Sequence, residues 1–248
     1  MTRALVTIAA SLSLACASAS PPAASNTYVI VHGAWGGGWD WQHVDSILTA
    51  QGQRVYRVTL TGLGERVHLA TPNVGLTTHM NDVVNTVNFE QLQDVVLVGH
   101  SYGGMVITGV ADRIADRVRA LIYVDAFLPE SGESVMGLIG PQAGAFFAQN
   151  TKDGMIVPPW VTSNAAIPKD VPHPLKTFTD TLVLTNPAAR KIKASYILTV
   201  EKGATSDDFS PYADRAKARG FPVHQLEADH TPERSAIDAL VQLLLRVP

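Results

Sequence analysis

The stretch from residue 95 to residue 107 constrains the chain most, because it joins a buried strand to a helix through a sharp turn. Four apolar residues, 95–98, are followed by the pattern Gly-x-Ser-x-Gly at 99–103 and then by a helical pattern. A serine at such a turn has a strained backbone and an exposed hydroxyl. The following helix also points free backbone N–H groups toward negative charge that develops beside Ser101. The stretch therefore predicts a nucleophilic serine at the end of a central strand.

Length and composition indicate one globular domain. The chain has 248 residues, of which 46% are hydrophobic and 17% charged, so it holds ample material for a buried core. The net charge is −3 and no basic stripe runs along the sequence. This charge pattern favours neither a nucleic acid nor an anionic membrane as a partner.

The first 26 residues differ in character from the rest. A positive start at 1–3 precedes an apolar run at 4–15, which is too short to span a membrane, and an Ala-x-Ala pattern at 17–19. These features are typical of a signal peptide at 1–19 followed by a flexible spacer at 20–26, so we expect export to the periplasm or the medium. Cys16 lies in this segment, and a lipid anchor there is a minor alternative.

Strand and helix patterns alternate from residue 27 to residue 248. They predict an α/β fold with a mostly parallel sheet of about six strands, covered by helices. The expected strands are 28–31, 55–58, 95–98, 120–124, 195–200 and 223–226. The expected helices run from a cap at Asp40 to about 50, then over 78–88, 102–114, 208–219 and 232–245. Eight prolines interrupt the periodicity at about 129–190, where we expect an inserted cap of short helices over the site.

Three polar residues each follow a predicted strand, and parallel strands bring their carboxyl ends to one edge of the sheet. They are Ser101, Asp125 and His230. A serine hydroxyl is a weak nucleophile that needs an adjacent base. His230 is the favoured base because it follows the last strand. A histidine near the C-terminus, after the serine in the chain, is also the order typical of a catalytic serine on such a sheet.

Two carboxylates compete to orient His230. Asp125 stands alone in an apolar run, where a carboxylate is costly unless it is paired. Glu201 comes directly off the fifth predicted strand. We favour Asp125 as the acid of the triad, and Glu201 stays open.

An oxyanion hole needs two backbone N–H donors. Tyr102, directly after the serine, supplies one, and Ala34 in the glycine-rich loop 32–38 is the best candidate for the second. We expect Trp35 and Trp160 to contact substrate. Trp39 and Trp41 fit either an acyl pocket or the core, and we expect His32 to be structural.

These motifs resemble the α/β-hydrolase superfamily. The resemblance is carried by His-Gly-Ala-Trp at 32–35, Thr-Leu-Thr-Gly-Leu-Gly-Glu-Arg at 59–66, Gly-His-Ser-Tyr-Gly-Gly at 99–104 and Asp-Ala-Phe-Leu-Pro at 125–129. The branch it resembles most comprises bacterial esterases similar to plant methylesterases and hydroxynitrile lyases. The resemblance covers residue 28 to the C-terminus. It implies hydrolysis of carboxylic esters of small hydrophobic or aryl substrates through an acyl-enzyme, with no metal and no cofactor.

Two departures from the plant enzymes matter. Their triad acid follows the strand that matches 196–200, where this chain has Lys202, and this favours Asp125. Hydroxynitrile lyases carry a threonine and a lysine where this chain has Gly33 and Thr231. A lyase-like enzyme and a ligand-binding protein without turnover are therefore the alternatives. The sequence names neither the natural substrate nor the oligomeric state.

Overall fold

A computed structural model describes residues 25–246 of the chain. Within this range the strands are β1 (Thr27–Val31), β2 (Arg54–Val58), β3 (Val95–His100), β4 (Val118–Val124), β5 (Thr151–Lys152), β6 (Met155–Ile156), β7 (His173–Pro174), β8 (Lys193–Val200) and β9 (Val223–Glu227). The helices are α1 (Gln42–Ala50), α2 (Leu76–Phe89), α3 (Gly103–Arg113), α4 (Val135–Leu138), α5 (Gly140–Gln149), α6 (Lys176–Thr179), α7 (Ser210–Ala218), α8 (Pro232–Ser235) and α9 (Ile237–Arg246).

The predicted signal peptide at 1–19, the spacer up to residue 24 and Cys16 lie outside the described residues. Within residues 25–246, no helix is both long enough and apolar enough to span a bilayer.

Six strands of the described chain form one parallel sheet in the order β2-β1-β3-β4-β8-β9. β3 lies at the centre, where Val31 of β1 pairs with Gly99 and Val124 of β4 pairs with His100. The predicted α/β class and the expected number of strands are confirmed. The central position of β3 brings the residues that follow β1, β3 and β4 to the same edge.

Helices cover both faces of the sheet. Along β3, Val95 and Leu97 pack in a core cluster with α2 and α3, whereas Val96 and Val98 pack in a second cluster with α1 and α9. Side chains of a strand point alternately to the two faces, so a strand buried on both sides must be apolar throughout. This explains the unbroken apolar run that marks β3 in the sequence.

The segment between β4 and β8 contains α4, α5 and α6 together with an antiparallel sheet in the order β5-β6-β7. Ile156 of β6 pairs with Thr151 on one side and with His173 on the other. The sequence predicted only short helices here. Strands of two residues show no periodicity, so the small sheet left no signal in the pattern.

The first and the last of the predicted helices also differ from expectation. The C-terminal helix is two helices, because Ala236 between α8 and α9 has a non-helical backbone with a φ of −139° and a ψ of 43°. The break lets α8 present Glu233 inward, while α9 packs Leu240 on the sheet. Asp40 does not cap α1, which begins at Gln42, but lies in a preceding 3-10 turn and pairs with Arg234.

Close packing of α3 against the chain after β4 gives a stability test. A β-carbon on Gly104 would lie 2.0 Å from the Phe127 carbonyl oxygen, whereas one on Gly144 of α5 would lie 3.9 Å from its nearest neighbour, at ordinary van der Waals distance. We expect Gly104→Ala to lower the free energy of unfolding by about 1–3 kcal/mol through overpacking. Gly144→Ala is the matched control and should raise that free energy by at most about 1 kcal/mol. Urea titration measures both, and equal values would contradict this packing.

Candidate active site

The serine predicted as nucleophile lies in the strained turn between β3 and α3. Ser101 has a φ of 52°, in the left-handed region that non-glycine residues rarely adopt. Its N–H donates to the Val124 carbonyl at 3.3 Å, and its own carbonyl accepts from the Phe127 N–H at 3.1 Å. A β-carbon on Gly103 would lie 2.5 Å from the Val31 carbonyl oxygen, so only glycine fits there. The neighbouring strands therefore hold the strained conformation in place.

Three side chains from different strand ends form one hydrogen-bonded chain. Nε2 of His230 lies 3.0 Å from Oγ of Ser101, and Nδ1 of His230 lies 2.6 Å from Oδ2 of Asp125. A carboxylate accepts from Nδ1–H, which leaves Nε2 free to accept the serine proton. The arrangement can thus deprotonate Ser101 during attack on an electrophilic carbon.

Asp125 is fully buried at the end of β4, with a φ of 43°. Its N–H donates to the Ile197 carbonyl at 2.7 Å, and its Oδ1 accepts from the Thr199 N–H at 3.1 Å. Burial raises the pKa of the Asp125 carboxyl, and the hydrogen bond with His230 acts in the opposite direction. Glu201 is exposed beyond the end of β8. The geometry therefore brings Asp125, rather than Glu201, to His230.

Two aromatic rings pack against the imidazole of His230. The Phe209 ring stacks on it at 4.7 Å between centroids with an angle of 11°, and the His100 ring lies at 4.9 Å. Phe209 precedes α7 and reads in the sequence as an ordinary apolar residue. No local signal distinguishes it, because its contact with His230 exists only in the folded chain.

The loop after β1 contains a second strained residue. Trp35 has a φ of 64°, and the Gly36 N–H donates to the Ala34 carbonyl at 2.8 Å, which closes a three-residue turn. The Trp35 N–H donates to Nδ1 of His173 at 3.2 Å, and the Trp35 carbonyl accepts from the Val171 N–H at 2.9 Å. The segment between β4 and β8 thus holds the backbone of this loop.

The two backbone donors predicted for an oxyanion hole lie beside the serine. Ala34 and Tyr102 line the same cavity as Ser101. Within residues 25–246, no acceptor takes the backbone N–H of either residue. Both groups are therefore available to a bound oxygen, and their role stays a prediction.

Two buried, neutral histidines, His79 and His32, contact the loops around the site. Nε2 of His79 donates to the Thr61 carbonyl at 2.9 Å, so its Nδ1 accepts from the Tyr102 hydroxyl at 2.9 Å. Burial lowers the pKa of His79 to about 4, and burial likewise lowers the pKa of His32 to about 4. Nε2 of His32 accepts from the Leu60 N–H at 3.1 Å. His32 thus has the structural surroundings expected of it, and neither ring is placed to act as a base on Ser101.

A cavity of about 700 Å³ opens above Ser101 and His230. Its wall is largely aromatic, with Trp35, Phe127, Phe147, Trp160, Phe178, Phe209 and Tyr212. Trp35 and Trp160 meet edge to face at 5.4 Å, so the structure brings both predicted contact residues to one wall. Trp39 and Trp41 do not line this cavity. Trp41 is fully buried in the core, and the Arg234 guanidinium lies 4.9 Å from the Trp39 ring.

A smaller cavity of about 270 Å³ also reaches Ser101 and His230. Its ionisable lining residues were not predicted as part of a site and are Asp40, Asp170, Glu233 and Arg234. Arg234 Nε donates to Asp40 at 2.7 Å, and burial raises the pKa of Asp40 to about 6. In the described part of the chain, no group of three His, Cys, Asp or Glu side chains is arranged to hold a metal ion.

Comparisons with known proteins identify the family of the chain. The profile of the alpha/beta hydrolase family matches residues 28–243. The carbendazim hydrolyzing esterase of a Nocardioides strain is 55% identical over 112 residues, which are 45% of this chain and 46% of that protein. Methylesterase 8 of Arabidopsis thaliana is 30% identical over 108 residues, which are 43% of this chain and 40% of that protein. These matches therefore span less than half of the length of either relative.

A solved structure extends the likeness to most of the fold. An extracellular alpha/beta-hydrolase from a Paenibacillus species superposes with a TM-score of 0.77 at 23% identity. The superposition covers 90% of this chain and 98% of that chain. At this identity the likeness concerns the fold alone.

The contact between His173 and the Trp35 loop gives a test that needs no substrate. We expect His173→Ala to raise amide hydrogen exchange over residues 33–37 by about fivefold, since a lost hydrogen bond costs about 1 kcal/mol. Exchange over β3 should stay unchanged, which separates a local effect from general destabilisation. His43→Ala, on the outer face of α1, is the control. Unchanged exchange over 33–37 in the His173 variant would contradict the proposed restraint.

Proposed function

The chain belongs to the alpha/beta hydrolase family, and we propose that it is a serine hydrolase that cleaves carboxylic esters through an acyl-enzyme intermediate. The observation that carries the proposal is the hydrogen-bonded chain from Ser101 through His230 to the buried Asp125, with contacts of 3.0 Å and 2.6 Å. The esterase and methylesterase names of the relatives support ester hydrolysis in general.

In the first half-reaction, Ser101 Oγ attacks the ester carbonyl carbon while His230 Nε2 takes its proton. The imidazolium that forms is stabilised by Asp125, whose attraction is strong because the carboxylate is shielded from water. The oxyanion of the tetrahedral intermediate accepts hydrogen bonds from the backbone N–H groups of Ala34 and Tyr102. As the intermediate collapses, His230 returns the proton to the leaving alkoxide, which departs as an alcohol.

In the second half-reaction, water replaces the alcohol. Water attacks the acyl carbon while His230 takes a proton from it. As the second tetrahedral intermediate collapses, His230 gives this proton to Ser101 Oγ. The acid leaves and the free serine is restored. This cycle uses only side chains and backbone groups described above.

The large cavity favours an uncharged substrate with a hydrophobic or aryl group. A volume of about 700 Å³ and a mainly aromatic wall suit a small organic molecule. The one cation in its lining, Arg215, is already paired with Glu133 at 2.6 Å and therefore adds little attraction for an acid. We propose small hydrophobic or aryl esters as substrates.

No specific contact in the structure favours the two alternatives, a hydroxynitrile-lyase-like enzyme and a ligand-binding protein without turnover. The threonine that follows the loop histidine in hydroxynitrile lyases would stand at Gly33, where a β-carbon would lie 3.0 Å from His100 Nδ1 and 3.2 Å from Ser101 Cβ. A larger side chain therefore needs a rearranged site. Export of the protein also stays a proposal, and it rests on the sequence at 1–19.

Turnover of p-nitrophenyl esters by wild type and three variants tests the proposal and its choice of acid. We expect Ser101→Ala to lose about 10³-fold or more, and Asp125→Asn about 10⁴-fold in kcat, because an amide at 125 stabilises the wrong imidazole tautomer. Glu201→Gln is the matched control and should lose less than about tenfold, since an exposed carboxylate contributes little. Thermal unfolding should be similar for all four proteins. An active Asp125→Asn beside an inactive Glu201→Gln would move the acid to the end of β8.

A further inference from the structure

The side chain of His100 connects the nucleophile turn directly to the loop of the base. His100 is the last residue of β3, and its Nε2 lies 2.7 Å from the backbone carbonyl oxygen of His230. A carbonyl only accepts, so Nε2 must carry a proton. The contact is independent of the hydrogen bond between Ser101 and His230. It fixes the backbone of the base relative to that of the nucleophile.

The other ring nitrogen of His100 faces a buried carboxyl group. Oε1 of Glu233 in α8 lies 3.5 Å from Nδ1 of His100. Glu233 is 2% exposed and His100 4% exposed. Within residues 25–246, Nδ1 of His100 and Oε2 of Glu233 have no hydrogen-bond partner. The fold thus buries two polar groups side by side, although an apolar pair at these positions would avoid the cost of desolvation.

We propose that Glu233 and His100 form a brace that positions His230 against Ser101 by sharing one proton between Oε1 of Glu233 and Nδ1 of His100. The protonated carboxyl lies 3.5 Å from Nδ1, and a shift of about 0.5–0.8 Å brings it to hydrogen-bond distance, where it donates to Nδ1. His100 in turn donates from Nε2 to the His230 carbonyl. Both are positioning residues, because neither acts on the substrate. The role in positioning rests on the proposed function, whereas the proton arrangement does not.

The protonation states agree with the brace. Burial and the neighbouring His230 lower the pKa of His100 well below its ordinary range, so the ring is neutral. Burial raises the pKa of Glu233 to about 8, so its carboxyl is protonated at neutral pH. The other charged or titratable groups that face the pair are Asp40, Asp229 and Arg234 around Glu233, and Arg234 and His32 around His100.

The brace depends on pH through the carboxyl of Glu233. As the pH rises through about 8, Glu233 loses its proton and places a carboxylate against the unprotonated Nδ1 of His100. The brace then loses the donor to Nδ1, and the restraint on the His230 loop weakens, because only the hydrogen bond from His100 Nε2 to the His230 carbonyl remains. Both residues line the smaller cavity beside Ser101 and His230.

Variants of Glu233 separate a positioning role from simple packing. Glu233→Gln keeps the size and donates from its amide N–H at every pH, whereas Glu233→Leu removes the donor. We expect wild-type kcat to fall as the pH rises through about 8, and the fall to be absent in Glu233→Gln, whose kcat at pH 7 stays within about threefold. Glu233→Leu should lose about tenfold or more in kcat at pH 7 with KM nearly unchanged. Glu227→Gln, an exposed position in β9, is the control and should keep the wild-type profile.

A second measurement reads the brace without substrate. Nuclear magnetic resonance of protein labelled with ¹⁵N-histidine should show His100 as the neutral Nε2–H tautomer in wild type and in Glu233→Gln, with a shifted Nδ1 signal in Glu233→Leu. An Nδ1–H tautomer, or an Nδ1 signal indifferent to Glu233→Leu, would overturn the proton arrangement. An alkaline fall that persists in Glu233→Gln, or an unchanged kcat in Glu233→Leu, would overturn the positioning role.

The reaction of Ser101 with a fluorophosphonate distinguishes failure of this inference from failure of the proposed function. A wild-type protein that neither turns over esters nor reacts with the reagent is no serine hydrolase, and the resonance experiment still decides the proton arrangement. A reactive wild type with equally reactive Glu233 variants at every pH contradicts the positioning role alone.

Discussion

The buried carboxylate of Asp125 is the constraint on which the site depends. A charge with no exposed surface is stable only if hydrogen bonds replace its water, and the Thr199 N–H and the His230 imidazole are the donors that do so. The Thr199 N–H is in place only because β8 runs beside β4. The orientation of His230 is in turn fixed by the same carboxylate. The geometry of the site and the order of the strands therefore both meet one requirement, which is to supply hydrogen bonds to the buried Asp125 carboxylate.

Three of the six non-glycine residues with a positive φ in residues 25–246 lie at the candidate site. Trp35, Ser101 and Asp125 all have positive φ values, and each follows a strand of the same sheet. Such conformations cost about 1–3 kcal/mol each and persist only when surrounding contacts enforce them. Here the enforcing contacts come from neighbouring strands for Ser101 and Asp125, and from His173 for Trp35. The apolar clusters on both faces of the sheet supply the rigidity on which these contacts rely.

The sequence predicted the parts of the molecule whose signals are local. Unbroken apolar runs identified the central strands, because both faces of the sheet are covered, and the glycine-flanked Ser101 identified the turn. Asp125 stood out as a lone charge in an apolar run, and the fold brings it to His230. Glu233 gave no such signal, since a glutamate in the first turn of a helix usually faces water. Phe209 likewise gave no signal, because its contact with His230 exists only in the folded chain. The strands around Ile156 gave none, because two residues are too few to show a periodicity.

Ser101 is the residue proposed to carry the acyl group during turnover, and mass spectrometry of the quenched reaction tests this role most directly. Wild-type protein mixed with a p-nitrophenyl ester and quenched within the first turnover should gain the mass of one acyl group on the peptide that contains Ser101. A burst of nitrophenol close to one equivalent per active site should accompany it. Ester turnover with no covalent adduct, or with the acyl group on another residue, would contradict the account.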